Sequence, residues 1–236
     1  MSVPPASPPL SPPVAPAPEL AGKTVVIIGG SSGIGLETAR RARSEGAEII
    51  LTGRDQDRLA KAAHLVGATQ VAAFDATQHG PLSDFFERLG TPVDHLLVSA
   101  GGPYYALLAD IDLAEARRSF DEHIGLMIDV ARLAGPRMRA GGTLLFISGT
   151  GARRPGIGLT VAGAITAGLS SATANLALEL APVRVNLLAA GFVDTPLSAS
   201  LLGDGLEQRR EHLREHLPIR RVVQPEDVAA LAVHLM

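Results

Sequence analysis

TVVIIGGSSGIGLETARRARSEG, residues 24–46, decides how the rest of the chain reads. Its first five residues are mostly branched and apolar without alternation, as in a strand covered on both faces. GGSSGIG, 29–35, then breaks the run, and 34–45 follows with helical character. Such a junction has a physical use. Gly29 lets the chain turn sharply off the strand, Gly33 lets main chain approach a pyrophosphate, and Gly35 lets helix and strand pack closely. The helix start adds unpaired N–H groups and a positive dipole end, with Ser31 and Ser32 as further donors. By itself the motif is no more than a tight turn. As the first junction of a repeating strand–helix chain it points to nucleotide binding.

The repetition is present. TVVIIG (24–29), AEIILTG (47–53), QVAAF (70–74), HLLVS (95–99), TLLFIS (143–148) and VRVNLLAA (183–190) read as strands, with helical segments between them at 34–45, 112–133 and roughly 158–180. Strand–helix–strand order predicts right-handed crossovers and a Rossmann-type, doubly wound parallel sheet of the α/β class. One domain over 22–236 is the economical division. Residues 1–21 precede it as a Pro-rich tail with eight of the seventeen prolines, expected as polyproline II or disorder, or as a docking segment for a Pro-binding partner.

Composition narrows the function classes. A formal charge of -3 without a basic cluster gives no electrostatic footprint for nucleic acid or an anionic membrane surface. Aromatics at 3% leave few rings on which bases could stack. With no cysteine there is no disulfide framework, thiol nucleophile or thiolate metal site, and a cytoplasmic setting is expected. No residue cluster recommends a metal. The run 155–178 lacks any Asp, Glu, Lys, Arg, His or Tyr and is long enough to span a membrane, but its Gly, Ser, Thr and Asn favour a buried helix.

The end of the second strand bears on cofactor choice. A site for NAD usually places a carboxylate there for the ribose hydroxyls. This chain has LTGRD, with Arg54 where a 2′-phosphate would need a positive fork, and Asp55 one step later, free to cap the next helix. NADP(H) is expected over NAD(H).

Beyond this point the chain resembles the one-domain short-chain dehydrogenase/reductase family, from about residue 22 to 236. Gly29, Gly33 and Gly35 match its TGxxxGxG, with Ile28 for Thr, and Ile34 stands within the motif. FDATQ puts Asp75 where the family contacts adenine. VSAG keeps Ala100 and Gly101 of its NNAG element, and VRVNLLAAGFVDTP resembles RVNxxxPGxxxTP, the segment that meets the nicotinamide, with Val193 and Thr195. The resemblance implies a small-molecule substrate and leaves room for a homo-oligomer.

The family's catalytic Asn, Ser, Tyr and Lys have no counterparts. FDEHIG against FxxNxxG puts His123 at the Asn, and FISGTG puts Gly149 at the Ser. Counting back from LALEL puts Ala162 at the Tyr and Thr166 at the Lys. A census agrees: Tyr104 and Tyr105 are the only tyrosines, and Lys23 and Lys61 the only lysines. Hydride transfer to a neutral carbonyl then lacks its proton donor. Three ways remain open. The substrate is a protonated imine, an iminium ion that already carries its charge and needs no donor, with Ala162 and Thr166 freeing room for bulk; or another group serves, His123 first because imidazole titrates near neutrality; or the protein is a silent, nucleotide-binding relative. Ser148, with His123 a candidate catalytic group, and Thr150 flank the vacant serine position, where their hydroxyls would bind substrate or else satisfy backbone groups, and Tyr104 and Tyr105 are expected to line the substrate mouth or simply to pack there.

LEQRREHLREHLPIRR, 206–221, matches the neighbourhood of the family's lid, and equally a solvated amphipathic helix. Pro225 with two acids opens a last helix. The chain stops there at Met236, so the family's last strand is expected to be missing.

Overall fold

A computed structural model describes residues 19–236. The elements alternate β1 (Thr24–Ile28), α1 (Gly33–Ser44), β2 (Glu48–Gly53), α2 (Gln56–Val66), β3 (Gln70–Ala73), α3 (His79–Arg88) and β4 (Val93–Val98). There follow α4 (Leu113–Phe120), a π-helical turn (Asp121–Gly125), α5 (Leu126–Ala134), β5 (Met138–Gly149), α6 (Thr160–Glu179), β6 (Arg184–Ala190), α7 (Pro196–Leu202), α8 (Leu206–His216) and α9 (Pro225–His234). All strand pairs are parallel, in the order β3-β2-β1-β4-β5-β6. This is the Rossmann-type, doubly wound sheet. β1 lies between β2 and β4, so the strand order reverses at its carboxyl end, where open α/β sheets bind ligands.

The unalternating strands are explained by what covers them. Successive side chains point to opposite faces. Val26 and Ile28 of β1 join Leu96, Leu144, Phe86, Val130 and Ile165 in the core under α3, α5 and α6. Val25 and Ile27 join Leu97, Leu145, Ala39, Ala42 and Ala232 in a second core under α1 and α9. Both layers are needed to hold β1, and with it the turn at residue 29, at a fixed height.

Most of the Pro-rich segment lies outside the described residues. Leu20, counted with it in the sequence, is 4% exposed, and its N–H donates to the Glu45 carbonyl at 3.1 Å, so the second core gathers residues from before 22. The buried helix expected over 158–180 needs correction. α6 is laid along β5 and β6 with a buried stripe of Val161, Ala162, Ile165, Leu169 and Thr173, while Ala164, Ala167, Ala174 and Leu178 on its other face are exposed. Among the described residues it is the one helix long and apolar enough to cross a membrane.

Candidate active site

The carboxyl ends of β1, β4 and β6 converge on the glycine-rich turn. Gly29 has φ +89°, and a Cβ there would stand 2.9 Å from the Ala100 nitrogen. A Cβ on Gly35 would stand 2.2 Å from the Gly29 carbonyl oxygen and 2.6 Å from Ser99 Oγ, which itself donates to that carbonyl at 3.1 Å. The absent side chains are thus what let α1 sit down on β1 and β4. Ser32 precedes α1 without bonding its first turn through its side chain, and that turn holds no acidic residue. The N–H groups there and the dipole behind them are left for an anion. Across the crevice, Thr195 comes close: its Cγ2 lies 3.4 Å from where a Gly33 Cβ would be. Thr195 caps α7 by accepting the Ser198 N–H, and Ser198 Oγ donates to the carbonyl of buried Val193. The turn, Ala100, Gly101 and Thr195 thus lie about one crevice, with buried Val193 behind Thr195. Ile34 serves locally, its carbonyl accepting from Thr38 Oγ1 at 2.8 Å.

Ser31 lies over the end of β2, its Oγ 3.2 Å from a Gly53 Cβ, and Arg54 follows directly, exposed and without an ion-pair partner among the described residues. Asp55 is spent on α2: it accepts the Arg58 N–H at 2.9 Å, which holds its carboxyl below the usual range. Asp75 accepts both the N–H and the hydroxyl of Thr77, which fixes the chain leaving β3. Among the described residues Arg54 is thus the charged group left free at the end of β2, while Asp55 and Asp75 are engaged within the chain.

The reaction end is built differently from the expectation of free room. Ala162 is covered, at 9% exposure. The main chain after β5 lies on α6: a Cβ on Gly149 would meet Thr166 Cγ2 at 3.5 Å, and one on Gly151 would meet Gly163 Cα and Thr166 Oγ1, each at 3.2 Å. Small residues on both sides let strand end and helix close together at Gly163 and Thr166. Thr166 donates its hydroxyl to the Gly163 carbonyl at 3.0 Å.

His123 sits in the π-helical turn between α4 and α5, a local widening often found at functional sites. Its Nδ1–H donates to the Ser119 carbonyl at 2.7 Å. Since a carbonyl only accepts, Nδ1 carries the hydrogen and the neutral ring presents a lone pair at Nε2. That atom faces Gly101, 3.2 Å from where its Cβ would be. The structural hydrogen bond and a place in the cleft belong to the same side chain. Ser148 does neither of the things expected of it. Its Oγ is buried without a partner among the described residues, so it reaches neither the open cleft nor a backbone group. Tyr104 packs against the first core and its hydroxyl accepts the Asp112 N–H at 2.9 Å, at the cap of α4, the packing role that is one of its two expectations. Tyr105 is 56% exposed, with partial burial raising its phenol pKa.

One element escaped the sequence reading. Asp194, beside Thr195, takes a bidentate pair from Arg210 of α8, at 2.9 and 2.8 Å, and its N–H donates to the Val223 carbonyl. Helix α8 buries only Leu213, yet this pair ties it to the loop that meets the cleft. The charge alternation of 206–221 could not reveal which arginine is so used.

Comparison with known proteins agrees with this geometry. A family profile described as enoyl-(acyl carrier protein) reductase matches residues 29–236. The 7alpha-hydroxysteroid dehydrogenase of Escherichia coli K12 is 30% identical over 235 residues, covering 92% of this chain and 88% of that one. The solved structure of MalC reductase/Diels-Alderase from Malbranchea aurantiaca superposes with a TM-score of 0.85 at 26% identity, over 92% and 91% of the two chains. BdcA in complex with NADPH superposes at 0.81 with 27% identity, over 92% and 87%.

Proposed function

This chain belongs to the short-chain dehydrogenase/reductase family, whose relatives are oxidoreductases of small molecules, and on that premise we propose that it is an NADP(H)-dependent reductase of an imine, an iminium ion or a bulky carbonyl. The observation that carries the reading is the closed face of α6: Ala162 is covered and the Thr166 hydroxyl is occupied by the Gly163 carbonyl. Neither position can hold or pass a proton. NADPH, when bound, supplies a hydride. An iminium acceptor already carries its charge and leaves as a neutral amine, so the protein need only hold and orient it. The residues available for that are Gly101, Thr195 and the Nε2 edge of His123. A carbonyl acceptor would need His123 protonated at Nε2, because the neutral ring offers only a lone pair there.

Preference for the phosphorylated cofactor rests on Arg54, exposed beside Ser31 and with no ion-pair partner among the described residues, and on Asp55 being committed to its helix cap. A charge-assisted hydrogen bond of this kind is worth ~1.5–3 kcal/mol. Arg54→Ala is therefore expected to weaken NADPH roughly 10- to 150-fold, by nicotinamide fluorescence, while NADH affinity moves less than about twofold. Equal losses for both nucleotides would refute the assignment. With NADPH saturating, His123→Ala should cut turnover of a ketone by ~10²–10⁴ and change a cyclic iminium's by only a few-fold. NADPH binding without turnover of either acceptor would instead leave a silent nucleotide-binding protein.

A further inference from the structure

Fifteen large apolar side chains are exposed among the described residues, and eight of them fall on 105–108, 157, 197–202 and 219. These positions are far apart in sequence, but most belong to the segments that leave β4, β5 and β6 at the edge where the cleft lies. The segments are physically joined. The Ala106 N–H donates to the Gly158 carbonyl at 3.2 Å, which joins the main chain just before Leu107 to that just after Ile157. A Cβ on Gly102 would meet Leu197 Cδ1 at 3.6 Å, which brings the first segment against α7. Ile157 is 92% exposed and Leu108 79%, values at which neither side chain takes any part in the folded core.

The same segments carry no formal charge. Residues 99–109, 155–178 and 195–203 contain no Asp, Glu, Lys, Arg or His. An exposed apolar rim without charges is costly in water and is found where something apolar is to be covered. It is also continuous with the cleft: Gly101, facing His123, opens the first segment, and Thr195, facing Gly33, opens the third. Since the face of α6 is closed, bulk in a substrate has its place along this rim and not in the position of the missing ring.

We propose that the substrate carries a largely apolar, uncharged body that extends from the reacting group along a rim formed by Leu107, Leu108, Ile157, Leu197 and Leu201. The proposal rests on the reading of the cleft as a reductase site. It assigns recognition of that body to burial of aliphatic surface, with no ion pair to it; charges that flank the three segments, among them Asp110, Arg153, Arg154, Asp194 and Asp204, lie just outside them.

The test uses the full chain and three probes: 2-decalone, the carboxylate of the same bicyclic frame, and hydroxyacetone as a small polar ketone. Binding is followed by calorimetry with and without saturating NADPH. 2-Decalone should bind at least tenfold tighter than either other probe. The double variant Leu108→Ser/Ile157→Ser should lose at least tenfold in decalone affinity with its NADPH dissociation constant unchanged, since both side chains are outside the core. Equal or better binding of the carboxylate, or indifference of decalone to the double variant, overturns the proposal. Variant-sensitive decalone binding by a protein that never binds NADPH would uphold the rim and sink the cofactor reading. NADPH binding with a preference for the carboxylate would do the reverse.

Discussion

Gly35→Ala is expected to abolish useful NADPH binding and to lower the stability of the fold together. The added methyl would stand 2.2 Å from the Gly29 carbonyl oxygen and 2.6 Å from Ser99 Oγ, distances that no side-chain adjustment relieves on the carbonyl side. Gly29 cannot yield freely, because it is itself held at φ +89° with the Ala100 nitrogen close by. α1 must therefore lift from β1, and its first N–H groups leave the positions from which they would meet a phosphate. Overpacking of this kind costs ~1–3 kcal/mol in stability. A similar loss in binding is roughly a 5- to 150-fold weaker nucleotide. Gly80→Ala is the control, since a Cβ there meets nothing within 4 Å. Fluorescence titration and thermal unfolding of both variants separate the outcomes: an unchanged melting temperature with NADPH affinity within threefold of the parent would show that the turn is not the cradle.

This dependence on Gly35 was legible in the sequence because local and global cues agree there: a branched strand, a glycine turn and a helix in immediate succession. The strands were legible for the same reason, as runs covered on both faces. Their ends were less so. β4 begins at Val93, two residues before the apolar run, because Asp94 is buried with the Thr24 N–H at 2.9 Å and Lys23 at 3.3 Å, partners that only the fold supplies. β5 extends back to Met138 through glycines that read as a turn, and its pairing with β4 shifts register between Val93 and His95. α2 and α3 were not singled out, being short and flanked by polar residues.

At the site, spacing could say which residues replace the family's four, and it could not say how the gap is closed. An uncharged run reads as buried, yet Ala and Ser lose little by exposure, so composition hid the open face of α6. An unbroken helical period over 112–133 hid the π-helical turn that aims His123 at Gly101. The link from Ala106 to Gly158 spans more than fifty residues and has no local signature. What the sequence shows well is what neighbours along the chain determine. The cleft's lining is set by contacts between the ends of strands, and there the structure was needed.

Acid should find the weak point of the central sheet at His95. This residue lies in β4 between Val25 of β1 and Thr143 of β5, is 5% exposed, and has an Nδ1 without a partner among the described residues. Burial, the larger cause, together with the Arg184 and Lys23 cations, pushes its pKa down to about 4 against the attraction of Asp94. The unfolded chain offers an ordinary imidazole, near 6.5, so between these values the unfolded state binds a proton that the folded state refuses. Stability rises with pH across that window: the contribution is complete above about 6.5, is lost progressively on acidification, and falls no further below about 4, where the folded protein is protonated too. The ceiling on the effect is ~3 kcal/mol, roughly a fifth or more of a typical domain's stability. His95→Leu removes both the titration and the unpaired nitrogen while keeping an apolar group of similar size. Its denaturant midpoint should therefore drop much less than the parent's between pH 7 and pH 4.5, and at pH 7 it should be no less stable, because an unsatisfied buried polar atom costs ~1–3 kcal/mol. The Asp227 carboxyl, held at about 2 by Arg221, titrates below this window in both proteins and does not blur the comparison. Parallel curves for the two proteins from pH 7 to 4.5 would mean that water or a partner group reaches the imidazole, and that β4 is less tightly covered than its burial implies.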